Sequence, residues 1–279
     1  MGKIINIEKI TSALKNELIA ESKALSPVSL ASLQIGQAPD AQIYIKNQKR
    51  VAKEIGIDFS LYKLSDKIRQ KEAVKIIKKL NQDKNIDGII VNKPFPHNWE
   101  AKEIFSIISP EKDIEGVSPY NLGRMFYNDL TFVSPTVLAA LAAIESLDVD
   151  LYGKDITVVG FSTLIGKPLV LLLSQKFATV TVTHIATYQK QRLPFYISNS
   201  DLLISAVGKP HFIKGEWIKK GAIVIDVGIS KKGSKVVGDI EFEQAIKKVS
   251  FISPVPAGIG KLTSLFLFKN LLKAKKLCS

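Results

Sequence analysis

The second half of the chain alternates short apolar runs with segments of helical spacing. The runs predict strands over Ile156–Val159, Thr179–Thr183, Leu202–Ala206 and Ile223–Val227. Strands that are buried on both faces form unbroken apolar runs, and helical crossovers between them are typical of a parallel sheet. This half is therefore predicted to be a doubly wound, Rossmann-type α/β lobe of the kind that binds nucleotides.

The first half of the chain shows the same alternation. Its spacing predicts strands over Val28–Leu33, Phe59–Lys63 and Gly88–Val91, with helices over Asp40–Gly56 and Lys67–Leu80. We therefore expect a second, N-terminal α/β lobe.

Two apolar helices suggest where the lobes divide. Ser134–Leu147 is rich in alanine and leucine and contains no glycine, and Leu262–Lys276 is an apolar helix near the carboxyl end. We expect residues 1–133 to form the N-terminal lobe, with a closing helix of residues 262–279 packed on it, and residues 134–261 to form the Rossmann-type lobe. A length of 279 residues suits two domains of ~100–200 residues each.

Composition and charge exclude several classes of protein. With 46% hydrophobic and 23% charged residues, the chain is neither disordered nor fibrous. The formal net charge of +13 comes from lysines spread along the chain, without the interleaved aromatic residues of a nucleic-acid groove. We therefore expect no nucleic-acid partner, while unspecific attraction to polyanions stays open. No apolar run reaches the ~18–20 residues of a membrane span, and a single cysteine, Cys278, suggests a reducing, cytoplasmic setting.

The turn after Ile156–Val159 is the first candidate for chemistry. Gly160 permits a sharp turn, and Gly166 allows close contact between strand and helix. Backbone N–H groups and a helix N-terminus would then meet at a site for a pyrophosphate. The spacing differs from G-x-G-x-x-G, and a tight turn without a ligand is an equal alternative.

Three further segments are candidates, and each has an ordinary structural alternative. Tyr44 and Gln48 are neighbours on a helix, where a tyrosine ring can stack on a flat heterocycle or belong to the core or its rim. Carboxylates of the loop Pro110–Gly116 can bind an amino-pyrimidine edge or cap a solvated turn. The segment Ser253–Gly260 lets a ligand approach the backbone or merely leads into a helix. No second His or Cys is spaced to join His184, so no metal is expected.

The order of these motifs resembles one family, the bifunctional methylenetetrahydrofolate dehydrogenase/cyclohydrolases, from about Val28 to Leu267. The phrases that carry the resemblance are Gly36…Pro39…Tyr44, Asp87-Gly88-Ile89-Ile90-Val91, Pro94-Phe95-Pro96, Pro110-Glu111-Lys112-Asp113, Asn121-Leu122-Gly123-Arg124, Gly160-Phe161-Ser162, Gly166-Lys167-Pro168, Ala206-Val207-Gly208-Lys209-Pro210, Ile225-Asp226-Val227-Gly228-Ile229 and Gly238-Asp239-Ile240. The resemblance implies a two-lobed α/β homodimer that acts on a small-molecule folate. A hydride passes from 5,10-methylene-tetrahydrofolate to NADP, and water opens the methenyl product to 10-formyl-tetrahydrofolate.

The resemblance also implies the roles of individual residues. The positions implied to be catalytic are Tyr44, Gln48, Asn92 and Glu115. The positions implied to bind folate are Tyr44, Pro94, Glu115, Pro256 and Gly258. The positions implied to bind the cofactor are Gly160, Ser162, Thr163, Gly166, His184, Val207, Gly208 and Ile229.

This sequence departs from the family at its reactive positions. Gln48 stands where the family has its catalytic lysine, Asn92 replaces the glutamine that positions this lysine, and Glu115 replaces an aspartate at the pterin edge. An amide cannot titrate in the working range. Lys49 points ~100° away from Gln48 on the helix, and Lys93 should face the side opposite to Asn92, so neither is expected to replace the amine.

The cofactor side departs from the family as well. Phe161 replaces an arginine of the glycine turn, and Ile185 and Ala186 follow His184 in place of polar and basic residues. A 2′-phosphate needs a guanidinium or several donors. NADP is the family's cofactor, and these three residues make NAD the alternative for this chain.

These departures leave several functions to be distinguished. The favoured one is an enzyme of one-carbon folate metabolism whose cyclohydrolase step is impaired, because Gln48 replaces the catalytic lysine. The alternative is a catalytically inactive folate- or nucleotide-binding paralogue, in keeping with departures such as Ala257 for a loop glycine. A two-lobed dehydrogenase for another small substrate is a remote third, since a fold alone does not determine function.

Overall fold

The computed structural model describes residues 1–233 and 235–278, and these divide into two compact units. Unit 1 comprises Met1–Thr11 and Thr136–Thr263, and unit 2 comprises Ser12–Pro135 and the residues from Ser264 onward. The predicted α/β class, with a parallel-sheet Rossmann-type lobe and a separate α/β lobe, is confirmed. Unit 2 differs from the expected lobe of residues 1–133 at its start, because the first strand pairs within unit 1.

Strands and helices alternate along much of the described chain. The strands are β1 (Lys3–Ile4), β2 (Ser29–Ile35), β3 (Asp58–Leu64), β4 (Gly88–Asn92), β5 (Asp155–Val159), β6 (Thr179–Thr183), β7 (Leu202–Ser205), β8 (Ile223–Asp226), β9 (Ser230–Lys232), β10 (Lys235–Val237) and β11 (Phe251–Ile252). The helices are α1 (Ile7–Leu25), α2 (Pro39–Ile55), α3 (Gln70–Gln82), α4 (Ala101–Ile107), α5 (Pro119–Arg124), α6 (Pro135–Glu145), α7 (Gly166–Ser174), α8 (Ile185–Gln189), α9 (Leu193–Ser198), α10 (Phe242–Ala245) and α11 (Ile259–Cys278). Short 3₁₀ turns lie at Met125–Tyr127 and Gly215–Trp217.

Unit 1 is built on a parallel sheet in the order β1-β11-β8-β7-β5-β6. Val159 at the end of β5 lies opposite Thr183 of β6 and Ser205 of β7. A core that includes Leu203, Val224 and residues of the flanking helices covers the sheet. Because the strands are parallel, the loops after β5, β7 and β8 leave the sheet at one edge, where ligands bind in such folds.

Unit 2 contains a smaller parallel sheet in the order β3-β2-β4. Its core joins α1, the sheet and α11, with Leu18, Leu30 and Phe268 all completely buried. The side-chain amide of Asn270 on α11 donates to the carbonyl oxygen of Ile114 at 2.8 Å. From Ser264 onward α11 therefore packs within this unit, and Ser279 of the expected closing helix lies outside the described residues.

The predicted elements agree with the observed ones to within a few residues. The strand Thr179–Thr183 has the predicted bounds, and α2 ends at Gly56, whose φ of 77° is the left-handed C-cap expected of a glycine stop. Helix α1 and the two-residue strands β1 and β11 were not among the predicted elements. Within the described residues, no helix is both long enough and apolar enough to cross a membrane.

Candidate active site

Unit 2 contains a buried polar triad of Ser32, Gln48 and Asn92. Ser32 and Gln48 are completely buried, and Asn92 is 4% exposed. The Ser32 hydroxyl donates to Oε1 of Gln48 at 3.3 Å, and Nε2 of Gln48 donates to Oδ1 of Asn92 at 3.5 Å. Nδ2 of Asn92 donates to the Ser32 hydroxyl and to the Leu33 carbonyl oxygen, both at 2.8 Å. The triad is held together by neutral groups, which cannot exchange protons in the working range.

Three elements place the triad. Ser32 lies on β2, and Asn92 ends β4, which runs parallel to β2 with Gln34 opposite Asn92. Gln48 lies on α2 one turn after Tyr44, so their side chains share one face of the helix.

Tyr44, one helical turn before Gln48 of the triad, is affected by the charge of Glu115. Burial, followed by the charge of Glu115, raises the pKa of the Tyr44 hydroxyl, while a hydrogen bond with Gln48 acts in the opposite direction. Burial raises the pKa of Glu115 to about 7, the charge of Asp113 adds to this effect, and the charge of Lys93 opposes it. Glu115 is therefore a carboxyl group that gains or loses a proton near neutral pH.

The loop that carries Glu115 is shaped by Asp113, which is completely buried. The Asp113 carboxylate accepts the backbone N–H groups of Val117 at 3.2 Å and Ser118 at 2.8 Å, and the side-chain amide of Asn121 at 2.9 Å. Asp113 is thus a structural carboxylate of the loop. This leaves Glu115 as the carboxylate that interacts with Tyr44.

The two lysines that follow triad residues in sequence, Lys49 and Lys93, are exposed, as is Pro94. The ammonium of Lys93 lies 5.1 Å from the centroid of the Phe105 ring. Partial burial lowers the pKa of Lys93, and the charge of Glu115 acts in the opposite direction. The positive charge of Lys93 therefore acts on Glu115.

In unit 1, two glycines close the turn between β5 and α7. Gly160 has φ 114°, and a Cβ there would lie 2.5 Å from the carbonyl oxygen of Ala206. A Cβ on Gly166 would lie 2.2 Å from the carbonyl oxygen of Gly160. Ser162 and Thr163 between them are exposed. The turn requires both glycines, and it presents the N-terminus of α7 as a pyrophosphate site would.

The loop Val207–Lys209 follows β7, the strand beside β5. The buried carboxylate of Asp239 accepts the three backbone N–H groups of this loop, at 2.7, 3.2 and 2.9 Å. Gly208 has φ 70°, and a Cβ added there would have no atom of the described chain within 4 Å. The outer side of the loop is therefore open to a ligand. In folds of this kind a dinucleotide binds at such an edge, and here a glycine turn and an open loop lie side by side there.

The side chains expected to set cofactor preference are apolar and accessible. Phe161 is 46% exposed and Ile185 is 55% exposed, and Ala186 is exposed as well. The ammonium of Lys167 lies 5.5 Å from the centroid of the Phe161 ring. This cation is the charged group that the structure places against the substituted turn.

The other predicted residues of unit 1 lie at loop positions. His184 is exposed and immediately precedes α8, and Ile229 is 58% exposed. Pro256 is exposed, whereas Gly258 is buried with no room for a side chain, since a Cβ would lie 1.9 Å from the Pro254 carbonyl oxygen. Among the described residues, no cluster of three or more His, Cys, Asp or Glu side chains could hold a metal ion.

The structure brings some of the predicted site residues together. It also shows two further residues of the candidate sites, Ser32 and Asp239, which were not predicted. The predicted residues gathered in unit 2 are Tyr44, Gln48, Asn92 and Glu115. Ser32 completes their network but gives no signal in sequence, since a serine in a strand is unremarkable. Asp239 was visible in the sequence only as part of the phrase Gly238-Asp239-Ile240, which does not indicate that its carboxylate accepts the backbone N–H groups of a distant loop.

Family models cover most of the chain. Residues 4–115 match the catalytic domain of tetrahydrofolate dehydrogenase/cyclohydrolase, and residues 134–279 match its NAD(P)-binding domain.

Known proteins with the same organisation are similar over the full length. The bifunctional protein FolD of Geotalea daltonii is 38% identical over 282 aligned residues, covering 99% of each chain. The crystal structure of the Campylobacter jejuni bifunctional enzyme FolD has a TM-score of 0.95 at 32% identity, covering 99% of each chain. The Trypanosoma brucei methylenetetrahydrofolate dehydrogenase-cyclohydrolase, solved with NADP cofactor and an inhibitor, has a TM-score of 0.94 at 30% identity, covering 99% of this chain and 98% of that one. The chain described here belongs to the tetrahydrofolate dehydrogenase/cyclohydrolase family.

Proposed function

We propose that this protein oxidises 5,10-methylene-tetrahydrofolate with NAD or NADP and hydrolyses the methenyl product only poorly. The observation that carries the proposal is the neutral triad, in which a completely buried Gln48 occupies the position of the family's lysine. The protein would thus work in one-carbon folate metabolism with one of the family's two activities reduced.

The folate would bind to the face of unit 2 formed by Tyr44 and Glu115. The Tyr44 ring offers a stacking surface for a flat heterocycle. An ionised Glu115 can accept two hydrogen bonds from an amino-pyrimidine edge, and the nearby charge of Lys93 favours the ionised form. Pro94 remains a proposed contact to the folate on this unit. Pro256 and Gly258 belong to unit 1, and their proposed role stays the one that the family resemblance implies.

The dinucleotide would bind at the carboxyl edge of the sheet in unit 1. Gly160, Ser162, Thr163 and Gly166 would hold its pyrophosphate at the N-terminus of α7. The proposed contacts beyond this turn are His184, Val207, Gly208 and Ile229. When bound, the dinucleotide supplies the hydride acceptor, and the chain's part in that step is to hold both molecules in place.

The two reactions depend on the triad to different degrees. Hydride transfer depends mainly on the positions of the two rings. Hydrolysis needs a group that accepts and returns a proton, and general acid–base catalysis contributes about 10²–10⁴-fold to a rate. Gln48 and Asn92 offer hydrogen bonds only. Loss of the amine should therefore affect hydrolysis more than hydride transfer.

Side-by-side assays with the Geotalea daltonii FolD protein test the proposal. We expect dinucleotide reduction by the present protein, and methenyl-tetrahydrofolate hydrolysis at least about 100-fold slower than that of the reference enzyme at neutral pH. Hydrolysis within about tenfold of the reference rate would refute the impairment. Calorimetric binding of tetrahydrofolate and dinucleotide without turnover would instead identify a non-catalytic binding paralogue, which the neutral triad also allows.

The cofactor preference is proposed to be weak or to favour NAD. Phe161, Ile185 and Ala186 offer no hydrogen-bond donor from their side chains to a 2′-phosphate. In the same calorimeter, we expect the Kd for NADP to be no more than about threefold below that for NAD. A preference for NADP of about 100-fold would contradict this expectation and would point to Lys167 as the phosphate ligand.

A homodimer and a cytoplasmic setting complete the proposal. The family resemblance implies the dimer, which light scattering coupled to size-exclusion chromatography would detect. The exposed thiol of Cys278 is compatible with a reducing compartment.

A further inference from the structure

A buried carboxylate lies directly beneath the loop that follows β7. Asp239 is completely buried, and its Oδ2 accepts the N–H groups of Val207 at 2.7 Å and Gly208 at 3.2 Å, while Oδ1 accepts that of Lys209 at 2.9 Å. The hydroxyl of Ser205, the last residue of β7, donates to Oδ2 at 2.8 Å. Four donors thus converge on one internal anion.

Successive backbone N–H groups that converge on one point form an anion-binding nest. In this loop the anion comes from the chain itself, so the N–H groups of Val207 and Gly208 point inward to Asp239. In a trans peptide the carbonyl oxygen points opposite to the N–H group. The carbonyl oxygens of Ala206 and Val207 therefore point away from Asp239, and that of Ala206 points toward Gly160, where a Cβ would lie only 2.5 Å away.

The carboxylate of Asp239 fits in its position because residue 228 is a glycine. A Cβ on Gly228 would lie 2.1 Å from the carboxyl carbon of Asp239, so a side chain at that position would displace the carboxylate. The backbone N–H of Asp239 in turn donates to Oδ1 of Asp226 at 3.2 Å. The segments that contain Gly228 and Asp239 therefore pack together beneath the Val207–Lys209 loop.

We propose that Asp239 is a positioning residue for the dinucleotide, an internal anion that fixes the Val207–Lys209 loop so that the carbonyl oxygens of Ala206 and Val207 point away from the carboxylate. These oxygens would accept hydrogen bonds from donor groups of the bound dinucleotide, and the open side of Gly208 gives the ligand access to them. The inference rests on the proposed function, since it assumes that unit 1 binds a dinucleotide at this edge. It adds a role for a residue that does not touch the ligand.

Asp239→Asn is the direct test, because the amide keeps the size of the carboxylate but removes the charge and turns one acceptor into a donor. An NH₂ group facing several N–H donors repels them, so the loop should lose its single conformation. The matched control is Asp155→Asn, the same substitution at the exposed, opposite end of β5. Calorimetric Kd values for dinucleotide and for tetrahydrofolate are measured for both variants, together with KM and kcat.

The expected result is selective. Asp239→Asn should raise the dinucleotide Kd and KM by about tenfold or more, leave the tetrahydrofolate Kd within about twofold, and leave kcat at saturating dinucleotide within about threefold. Asp155→Asn should change none of these. An unchanged dinucleotide Kd in a folded Asp239→Asn variant, or equal weakening of both ligands, would overturn the positioning role.

A milder variant keeps the test decisive if Asp239→Asn does not fold. Ser205→Ala removes one donor to Oδ2 and leaves the three backbone contacts, and it should raise the dinucleotide Kd by about threefold. No rise would overturn the proposal. Failure of the wild-type chain to bind any dinucleotide is a separate outcome, which would refute the proposed function and this inference with it.

Discussion

Gln48 is completely buried, and its amide oxygen and nitrogen both have neutral partners, Ser32 and Asn92. Because the partners are themselves neutral, the site needs no counter-charge at this position. An ammonium group here would lose hydration, and burial of that kind lowers the pKa of a lysine toward the range useful for proton transfer. The difference between amide and amine is thus a difference in chemistry at nearly constant shape.

Restoring the family's residues should restore part of the hydrolysis. In Gln48→Lys combined with Asn92→Gln, an amine again lies beside Tyr44, and the longer amide can reach it. We expect methenyl-tetrahydrofolate hydrolysis to rise by about tenfold or more, measured by the loss of the methenyl chromophore.

The matched control for this double variant is Gln42→Lys, the same exchange at an exposed position of α2. It should leave the hydrolysis rate unchanged. If the folded double variant gained no activity, the lost amine would not be the reason for poor hydrolysis.

The chemistry of the candidate site could be predicted where the residue type at one position decides it. It could not be predicted where several carboxylates of one loop are candidates for the same role. The sequence placed an amide at position 48, and the structure shows its neutral surroundings. The acidic loop contains three carboxylates, those of Glu111, Asp113 and Glu115. Only the hydrogen bonds that Asp113 accepts from Val117 and Ser118 show that its carboxylate is structural. Such bonds depend on how the loop closes, which spacing alone does not indicate.

At the scale of elements, strands and helices could be predicted where their own residues form a pattern of several positions. The run Thr179–Thr183 shows its strand bounds in the sequence because all five residues are β-branched and favour a strand. β1 and β11 have only two residues each, and their pairing joins Lys3 to Phe251. Two residues contain no periodicity, and partners so distant in sequence leave no local signal. Leu14 and Leu18 are buried residues of α1 with helical spacing, so the sequence does contain a signal for this helix.

The segment that leads into α11 contains a strained backbone position, Ala257. Ala257 has φ 68°, so it retains a left-handed conformation at a position where the family has glycine. This conformation costs an alanine about 1–2 kcal/mol, and a glycine would avoid that cost. Part of this stabilisation is offset because glycine increases the conformational entropy of the unfolded chain. Ala257→Gly should therefore raise the free energy of unfolding by about 0.5–1 kcal/mol, measured by urea denaturation.

Ala178→Gly is the control for this substitution. Ala178 lies between α7 and β6, outside the positive-φ positions, so the same exchange should lower the free energy of unfolding by about 0.4–1 kcal/mol. A loss of stability in both variants would show that Ala257 is not strained.

At the scale of the molecule, the sequence predicted two α/β lobes, and the structure shows two units whose boundaries fall partly elsewhere. The first residues join unit 1 because β1 extends its sheet beside β11. A helix or strand can be inferred from its own residues, but membership of a unit depends on contacts with distant parts of the chain. Tyr44 and Glu115, which are proposed to bind folate, lie in unit 2, and the glycine turn at Gly160 lies in unit 1. Each unit has its own core.

Glu115 in unit 2 and Asp226 in unit 1 are carboxyl groups whose pKa values lie near neutrality. Burial raises the pKa of Glu115 in unit 2 to about 7, and burial also raises the pKa of Asp226 in unit 1 to about 7. In the unfolded chain both groups would lose their protons at a lower pH, near their ordinary values of 4.5 and 3.8. Between these values and pH 7 the folded protein therefore binds more protons than the unfolded chain.

The sign of the pH dependence follows from this difference. Where the folded state binds more protons, its stability falls as pH rises, so the contribution of each group is present at low pH and is lost as pH rises through about 7. Glu115→Gln and Asp226→Asn remove the titrating groups. Relative to wild type, each variant should gain on the order of 2 kcal/mol in free energy of unfolding between about pH 5 and pH 8.

Urea denaturation of wild type, both single variants and the double variant at several pH values in this range would measure the effect. Because the two groups lie in different units, their contributions should add in the double variant. Glu111→Gln and Asp155→Asn, at exposed positions, serve as matched controls whose stability should follow that of wild type across the range. A difference between Glu115→Gln and wild type that stays constant with pH would mean that Glu115 is already ionised throughout. The proposed carboxylate contact to the folate would then need no prior loss of a proton from Glu115.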